Sequence, residues 1–488
     1  MIPARRRRHP FSGSGPAGRV LLALIVAGAL IRYLACLALW PVATTLSDSG
    51  GYAVHAAGNP LSDPQHPAGY PALLALLGEL TRSIAVTVLL QHALGIAAAV
   101  ILFAVVRRVV GSPWPALVPA AVVLLDTDEI FLEQNVMSEA PFLFVLACGL
   151  YAAVRCADAR GRAKHLWAAL AGGIIAAAAV IRSAGLVDVP ILALAIALIS
   201  FPAEKGRRWR ATATFLGVSV ILLTGYAWAN LQANGRFEVA PAMGWHLYSR
   251  VARFADCHTF SPPVGTTGLC ERLPPPDRGW GPDFYLYSPQ SPARRLFGRI
   301  GSHDSEVGAF ALQVILHQPA GFVHTVWVDV RRYFVPSLRP HGWYVGWDLD
   351  PQLEWSRQAG PAFTQNVRAQ LQSFFDPFTS HRRSSLIGLL SAYERVFGFG
   401  AVLLTLCTLL ILPGVFIGSR RSRAGVLLLG IGGLAQLIVP TVSVFYTGRY
   451  LVPVAGLVAG AAAISARSLA LAAARHVPPL RASRVDFA

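Results

Sequence analysis

The sequence predicts an all-α polytopic membrane protein of about ten transmembrane helices, carrying a mixed cap domain on the extracytoplasmic face. Three observations carry this prediction. Of the 488 residues, 54% are hydrophobic and only 14% charged, which is more apolar surface than one water-soluble core can hide, so a bilayer is the implied solvent. The apolar residues fall in runs, most of them long enough to span. The net charge of +17 sits in short basic clusters between those runs, a pattern that sets topology and does not suit nucleic-acid binding.

The elements follow in order. Residues 1–19 are a basic cytoplasmic tail containing Arg5, Arg6, Arg7 and Arg8. The apolar run after it extends from Val20 to about Trp40, longer than a signal-peptide core and without a small-residue cleavage site. It therefore reads as an uncleaved first helix whose basic end faces the cytoplasm. Further apolar runs lie near 84–106, 114–125, 139–154, 166–181, 186–201, 211–231, 386–417, 424–445 and 450–470.

Alternating these runs from an inside N-terminus places each short basic loop in the cytoplasm. Those loops hold Arg107 and Arg108; Arg155, Arg160, Arg162 and Lys164; Lys205, Arg207, Arg208 and Arg210; and Arg420, Arg421 and Arg423. The basic tail 471–488, with Arg475, Arg481 and Arg484, falls on the same side. The chain thus divides into a transmembrane module (20–231) with its first exterior loop at 41–83, an extracytoplasmic cap (232–383) and C-terminal transmembrane helices (384–470).

The cap segment lacks a spanning run and is rich in Pro, Trp, Tyr and His. Cys257 and Cys270 are the two cysteines outside the apolar runs and their borders, and their position in an exterior domain predicts a disulfide. The cap aromatics Trp280, Tyr285, Tyr287, Trp343, Tyr344 and Trp347 read as its own core or as an interfacial belt. Its histidines His246, His258, His303, His317, His324 and His341 show no metal-ligand spacing. The chain has no evident internal repeat, which counts against a transporter built from inverted halves.

The loop 41–83 is the most informative stretch. It contains Ser47-Asp48-Ser49-Gly50-Gly51-Tyr52 and then Gln65-His66-Pro67-Ala68-Gly69-Tyr70-Pro71 at the entry to an apolar run. On residue chemistry alone this is a solvated loop in which Asp48 caps a helix or sits in a turn. Gly50 and Gly51 would leave room for a ligand to approach the backbone. In the second apolar run, Gln91 and His92 read as partners in interhelical hydrogen bonds.

The order of a basic N-terminus, a first helix with an embedded Arg32, Asp48-x-x-x-Tyr52 and His66-Pro-x-Gly-Tyr-Pro resembles the membrane-embedded glycosyltransferases of the C-type fold. These include the protein O-mannosyltransferases and the lipid A aminoarabinose transferases. Three later segments fit the same pattern: Asn135-Val-Met-Ser-Glu139, Val180-Ile-Arg182-Ser-Ala-Gly185, and Phe445-Tyr-Thr-Gly-Arg449-Tyr450. The resemblance covers roughly residues 18–231 and the last helices.

It implies transfer of a sugar from a polyprenyl-phosphate donor to a lipid, glycan or protein acceptor at the outer face of the cell membrane, with inversion. An acceptor hydroxyl needs a base, and the departing phosphate needs its charge stabilised. Asp48 occupies the loop of the family's catalytic carboxylate and is the expected base. His66, Arg182 and Arg449 are the expected phosphate contacts, with Tyr52 and Tyr450 in the substrate-binding set. Family members often carry a second acid beside the first, where this chain has Ser49. Asp128, Glu129 and Glu139 could join Asp48 around a divalent cation, Mg or Mn. Arg32 is either a site residue or one half of a buried ion pair. The alternatives are a lipid or glycan transporter (flippase) and a noncatalytic envelope-assembly protein. The gathering of polar residues at one face, with few in mid-helix, favours surface chemistry over translocation.

Overall fold

The computed structural model describes residues 15–199, 205–336, 347 and 365–476. The Arg5–Arg8 run, the tail residues Arg481 and Arg484, the cap residues His341, Trp343 and Tyr344, and the side chains of Lys205, Arg207 and Arg208 lie outside the described residues.

Apolar composition and proline punctuation set the first elements. Helix α1 (Pro16–Ala38) begins with proline at its first position, where the missing N–H costs nothing. A two-residue strand β1 (Leu39–Trp40) follows it. The first long loop then folds into α2 (Ser47–Ala57) and α3 (Gly69–Gly78). Helix α4 (Ile84–Val110) ends on Arg107, Arg108 and a left-handed Gly111, as basic last turns and C-terminal glycines favour. Helices α5 (Pro113–Leu125), α6 (Thr127–Glu133), α7 (Glu139–Asp158), α8 (Arg162–Ile181), α9 (Asp188–Ile199) and α10 (Lys205–Asn234) complete this part.

The segment 232–383 forms α11 (Met243–Val251), α12 (Pro282–Tyr287), α13 (Pro292–Phe297), α14 (Asp304–His317), α15 (Pro319–Arg332) and a helical stretch over 365–372, α16. The two-residue strand β2 (His381–Arg382) pairs antiparallel with β1, Leu39 opposite Arg382 and Trp40 opposite His381. This bridge is the whole sheet content of the described residues. Among its described residues, the cap expected to be mixed consists of helices, loops and one β-bridge that ties the cap's end to the exit of α1. After it come α17 (Ser384–Phe397), α18 (Ala401–Gly414), α19 (Arg420–Val426), α20 (Gly432–Ser443) and α21 (Val452–His476).

Among the described residues, eight helical stretches are long and apolar enough to cross a membrane. They are α1, α4, α7, α8, Trp209–Asn234, Ser384–Gly414, Arg420–Ser443 and Val452–Arg475. The two remaining runs seen in the sequence are the shorter apolar stretches Pro113–Leu125 and Ser183–Leu198. The molecule is an all-α multi-pass membrane protein.

Three apolar clusters hold it together. The largest runs through α4, α5, α7, α8 and α21, with Leu102, Val106, Phe142, Leu146 and Val458 among its buried members. A second lies under the first long loop and gathers Tyr52, Tyr70, Leu74, Phe131 and Trp347. The third is the core of the cap, built on Trp245, Tyr248, Tyr285 and Phe310. Tyr285 thus joins the cap core as expected, whereas Trp347 packs edge-on against Phe131 and donates to the Thr127 carbonyl. The disulfide Cys257–Cys270 closes a loop in the cap.

Arg32 is buried and is half of an ion pair. Its Nε and Nη2 meet the two Glu133 oxygens at 2.8 Å each, and Nη1 donates to the Leu124 carbonyl at 2.9 Å. His92 Nδ1 meets the same carboxylate at 2.6 Å, and Gln91 donates to the carbonyls of Glu133 and Asn135. Gly95 makes room for this cluster, since a Cβ there would lie 1.7 Å from a Glu133 oxygen. The network pins α6 and the turn after it to α1 and α4, and so fixes where α7 begins. Such a buried pair specifies one arrangement more than it adds net stability.

Candidate active site

Five chain segments converge at the end of the bundle that carries the cap. Asp48 and Tyr52 come from α2, His66 from the loop before α3, Glu139 from the first turn of α7, Arg182 from the residue after α8, and Arg449 from the turn before α21. One close contact joins two of the sequence motifs directly. Gly69 lies so near the end of α8 that a Cβ there would be 2.5 Å from the Val180 carbonyl oxygen. The glycine of the His66 motif is thus the seat on which the Arg182 segment rests. Gly185 approaches the backbone of Ala178 and Ala179 in the same way.

Arg449 is the centre of the array. Its Nη1 donates to Asp48 Oδ2 at 2.7 Å, and Nε and Nη2 both donate to Glu139 Oε1, at 3.0 and 2.9 Å. Arg182 reaches the same Glu139 oxygen at 2.7 Å and donates to Ser138 Oγ at 3.0 Å. Tyr52 Oη shares a hydrogen bond with that serine at 3.2 Å. His66 stands on the other side of Asp48, with Nε2 3.6 Å from Asp48 Oδ2 and Nδ1 3.1 Å from Asp63 Oδ2. The ring of Tyr52 lies 4.9 Å from those of His66 and Tyr70.

The array is graded from dry to wet. The Glu139 side chain is fully buried, whereas Asp48 is 23% and His66 26% exposed. Two anions and two guanidiniums therefore sit together, partly open to solvent, with His66 beside Asp48. Burial alone would raise the Asp48 carboxyl, but Arg449 and then His66 outweigh it and hold the group well below the usual carboxylate range. Burial opposes charge on His66, yet Tyr52, Asp63 and Asp48 together keep it well above the ordinary histidine value. Asp48 is ionised and His66 protonated near neutral pH.

The acids expected around a divalent cation do not assemble. Asp48 and Glu139 already face Arg449, and Arg182 also pairs with Glu139, so the two anions are balanced by two guanidiniums. Glu129 is buried on α6 with neither carboxylate oxygen hydrogen-bonded, and burial, then Glu133, push its carboxyl well above the usual range. A neutral acid is a poor ligand for a hard cation. Asp128 lies on the same short helix. Among the described residues no three His, Cys, Asp or Glu side chains are grouped so as to hold a metal ion, so the residues present do not fit the Mg or Mn site expected from the sequence. Gly50 also departs from expectation: the space beside it is filled by Gln370, while a Cβ on Gly51 would meet nothing within 4 Å. Asp188, six residues after Arg182, accepts from the Gln436 side chain at 2.9 Å.

Sequence reasoning missed the residues that hold the array in place. Asp63 anchors His66, and its spacing of three was visible in the loop. Asp329 of α15 accepts from the Tyr446 N–H at 3.2 Å and pairs with Arg250 and Arg332. Tyr333 donates to the Thr447 carbonyl at 2.8 Å. The cap therefore grips the turn that presents Arg449, through residues whose importance no local motif signals.

Residues 84–240 match the family model of dolichyl-phosphate-mannose-protein mannosyltransferase. The resemblance drawn from the motifs holds over that stretch. Among solved structures, the S. cerevisiae protein O-mannosyltransferase Pmt1-Pmt2 complex bound to the sugar donor is similar at 15% identity and a TM-score of 0.35, covering 44% of this chain and 34% of that one. The Archaeoglobus fulgidus oligosaccharyltransferase is similar in its apo form (13% identity, TM-score 0.45, 93% of this chain, 51% of that one). The same protein tethered with an acceptor peptide gives 12% identity, a TM-score of 0.43 and coverage of 91% and 49%. The chain spans about a third to a half of the length of these structures. No curated protein sequence matches it.

Proposed function

We propose that this chain, whose residues 84–240 match a mannosyltransferase family model, is a membrane glycosyltransferase that moves a sugar from a polyprenyl-phosphate donor to a hydroxyl of a cell-envelope lipid, glycan or protein. The reaction takes place at the extracytoplasmic end of the bundle. The observation that carries this reading is the sharing of Arg449 between a partly exposed Asp48 and a buried Glu139. A carboxylate next to two guanidiniums and a protonated imidazole is what transfer away from a phosphate requires.

Donor phosphate competes with Asp48 for Arg449, with Arg182 and His66 adding positive charge around it. Losing that partner raises the basicity of Asp48, which then takes the proton of the acceptor hydroxyl. The acceptor oxygen forms its bond to the anomeric carbon as the bond from that carbon to the phosphate oxygen breaks. The electron pair leaves with the polyprenyl phosphate, and a single displacement inverts the anomeric centre. The arrangement accounts for a base that is weak at rest and active only when donor is present.

The test is incubation of the purified protein in lipid nanodiscs with labelled polyprenyl-phosphate sugars and extracted envelope acceptors. Label appearing on an acceptor, with release of polyprenyl phosphate, is the expected result. Label carried across proteoliposomes with the sugar–phosphate bond intact would favour a transporter instead.

A further inference from the structure

Helix α15 is fastened to the cap at both of its ends. At its start, Gln318 accepts from the Asp256 N–H at 3.0 Å and donates to the Asp256 carbonyl at 2.9 Å, which ties α15 to the segment after α11. Near its end, the Asp329 carboxylate pairs with Arg250 of α11 and, at 2.5 Å, with Arg332 one turn on. Arg250 and Asp329 are both buried, so water and salt screen this pair little and it holds the two helices in one arrangement.

The same end of α15 meets the non-helical stretch 445–447. Its neighbouring side chains go to different cores, Phe445 to that of the cap and Tyr446 to that of the bundle. Asp329 accepts from the Tyr446 N–H at 3.2 Å. The ring of the buried Tyr333 lies 4.6 Å from that of Tyr446, and its hydroxyl donates to the Thr447 carbonyl at 2.8 Å. That carbonyl also accepts from the Tyr450 N–H at 3.2 Å, the hydrogen bond that closes the 3₁₀ turn Gly448–Tyr450. One oxygen thus joins a cap side chain to the turn whose guanidinium stands between Asp48 and Glu139.

We propose that Asp329 and Tyr333 are positioning residues for Arg449: through Tyr446 and Thr447 they set where its guanidinium stands, and so tie the contact to donor phosphate to the seating of the cap. The proposal rests on the glycosyltransferase reading given above. Neither residue has to touch substrate. Arg449 divides three N–H groups between two carboxylates at 2.7 to 3.0 Å, and a displacement of the turn by about 1 Å is enough to spoil such geometry. The cap is then part of the phosphate site without lining it.

The experiment measures binding of undecaprenyl phosphate to the full chain in nanodiscs, as a double-mutant cycle over wild type, Tyr333→Phe, Arg449→Ala and the double variant, with thermal midpoints taken on the same samples. Tyr333→Phe removes a single hydroxyl and should weaken binding about five- to tenfold. In the Arg449→Ala background the same change should matter by less than about twofold, because the residue through which it acts is gone. A purely structural tyrosine would weaken binding by the same factor in both backgrounds. That result, or Tyr333→Phe binding as tightly as wild type, would overturn the proposal. Asp329→Asn, compared in the same two backgrounds, should behave alike, and equal losses in both would remove Asp329 from the role. This variant leaves Arg250 without its charged partner on α15, and if it does not fold the tyrosine cycle decides. Wild-type protein that fails to bind undecaprenyl phosphate would overturn the glycosyltransferase reading itself, and the positioning role with it.

Discussion

Arg449 and Asp48 are 401 positions apart in the chain and 2.7 Å apart in the fold. The last turn before the final helix thus supplies the partner of the acid in the first long loop. Every test of the mechanism turns on how firmly that guanidinium is held and by what it is displaced.

Replacing Arg449 by Ala leaves Glu139 with Arg182 alone and Asp48 with His66 alone. The donor KM should rise at least about tenfold, and kcat should fall with it. Lysine should restore little of this, because a point charge cannot reach two carboxylates with three N–H groups. Since arginines, and not a cation held by grouped acids, supply the positive charge in the proposed mechanism, transfer should persist in excess chelator. Steady-state kinetics on the purified variants, with and without chelator, check both statements.

The contact between Gly69 and Val180 predicts that Gly69→Ala disturbs the site without touching any substrate. The added methyl meets a backbone carbonyl, which cannot move aside as a side-chain tip can, so the cost should be about 1–3 kcal/mol. A small fall in thermal midpoint with a larger fall in kcat is the expected outcome. An alanine variant with wild-type kinetics would mean that α3 and α8 do not need this contact.

How much of this was legible varied with the reach of the signal. Asp48, His66, Arg182 and Arg449 stand in local motifs, and alternation of the helices put them at one end, where the structure brings them together. The acids of α6 were less legible, because spacing does not say which face of a seven-residue helix turns inward, and Glu129 is buried with neither carboxylate oxygen hydrogen-bonded. Arg32 was recognisable as costly in a membrane, but its partner Glu133 lies 101 positions away. The cap was least legible, because Tyr285 and Tyr287 look alike in sequence and only packing buries the first in the core and leaves the second exposed.

The Arg32–Glu133 pair gives a stability prediction that is separate from catalysis. Glu133→Leu leaves a buried guanidinium unpaired and should cost about 3–5 kcal/mol. The double variant Arg32→Met with Glu133→Leu should recover much of that loss, since it removes the unpaired guanidinium and leaves only His92 without its carboxylate partner. Thermal unfolding of the three proteins in the same detergent would show whether the double variant lies above the single one.

His66 gives a pH dependence whose sign is fixed by its raised pKa. Its contribution to stability should be complete below its ordinary value of 6.5 and should disappear as pH rises through the higher folded-state value. Thermal midpoints of wild type and His66→Gln, measured from about pH 5 to about pH 10, should therefore converge on the alkaline side. Convergence on the acid side would mean that the imidazole is neutral between its two aspartates.

The central claim is that Asp48 accepts the proton of the acceptor hydroxyl, and Asp48→Asn tests it most directly. Asparagine keeps the size of the side chain and can still accept from Arg449, but it cannot act as the base. A positioned base is worth on the order of a hundred- to ten-thousand-fold in rate. Single-turnover transfer by donor-loaded Asp48→Asn should therefore fall by that factor, while the folded state and donor binding persist. A folded, donor-binding variant that transfers sugar at the wild-type rate would contradict the account.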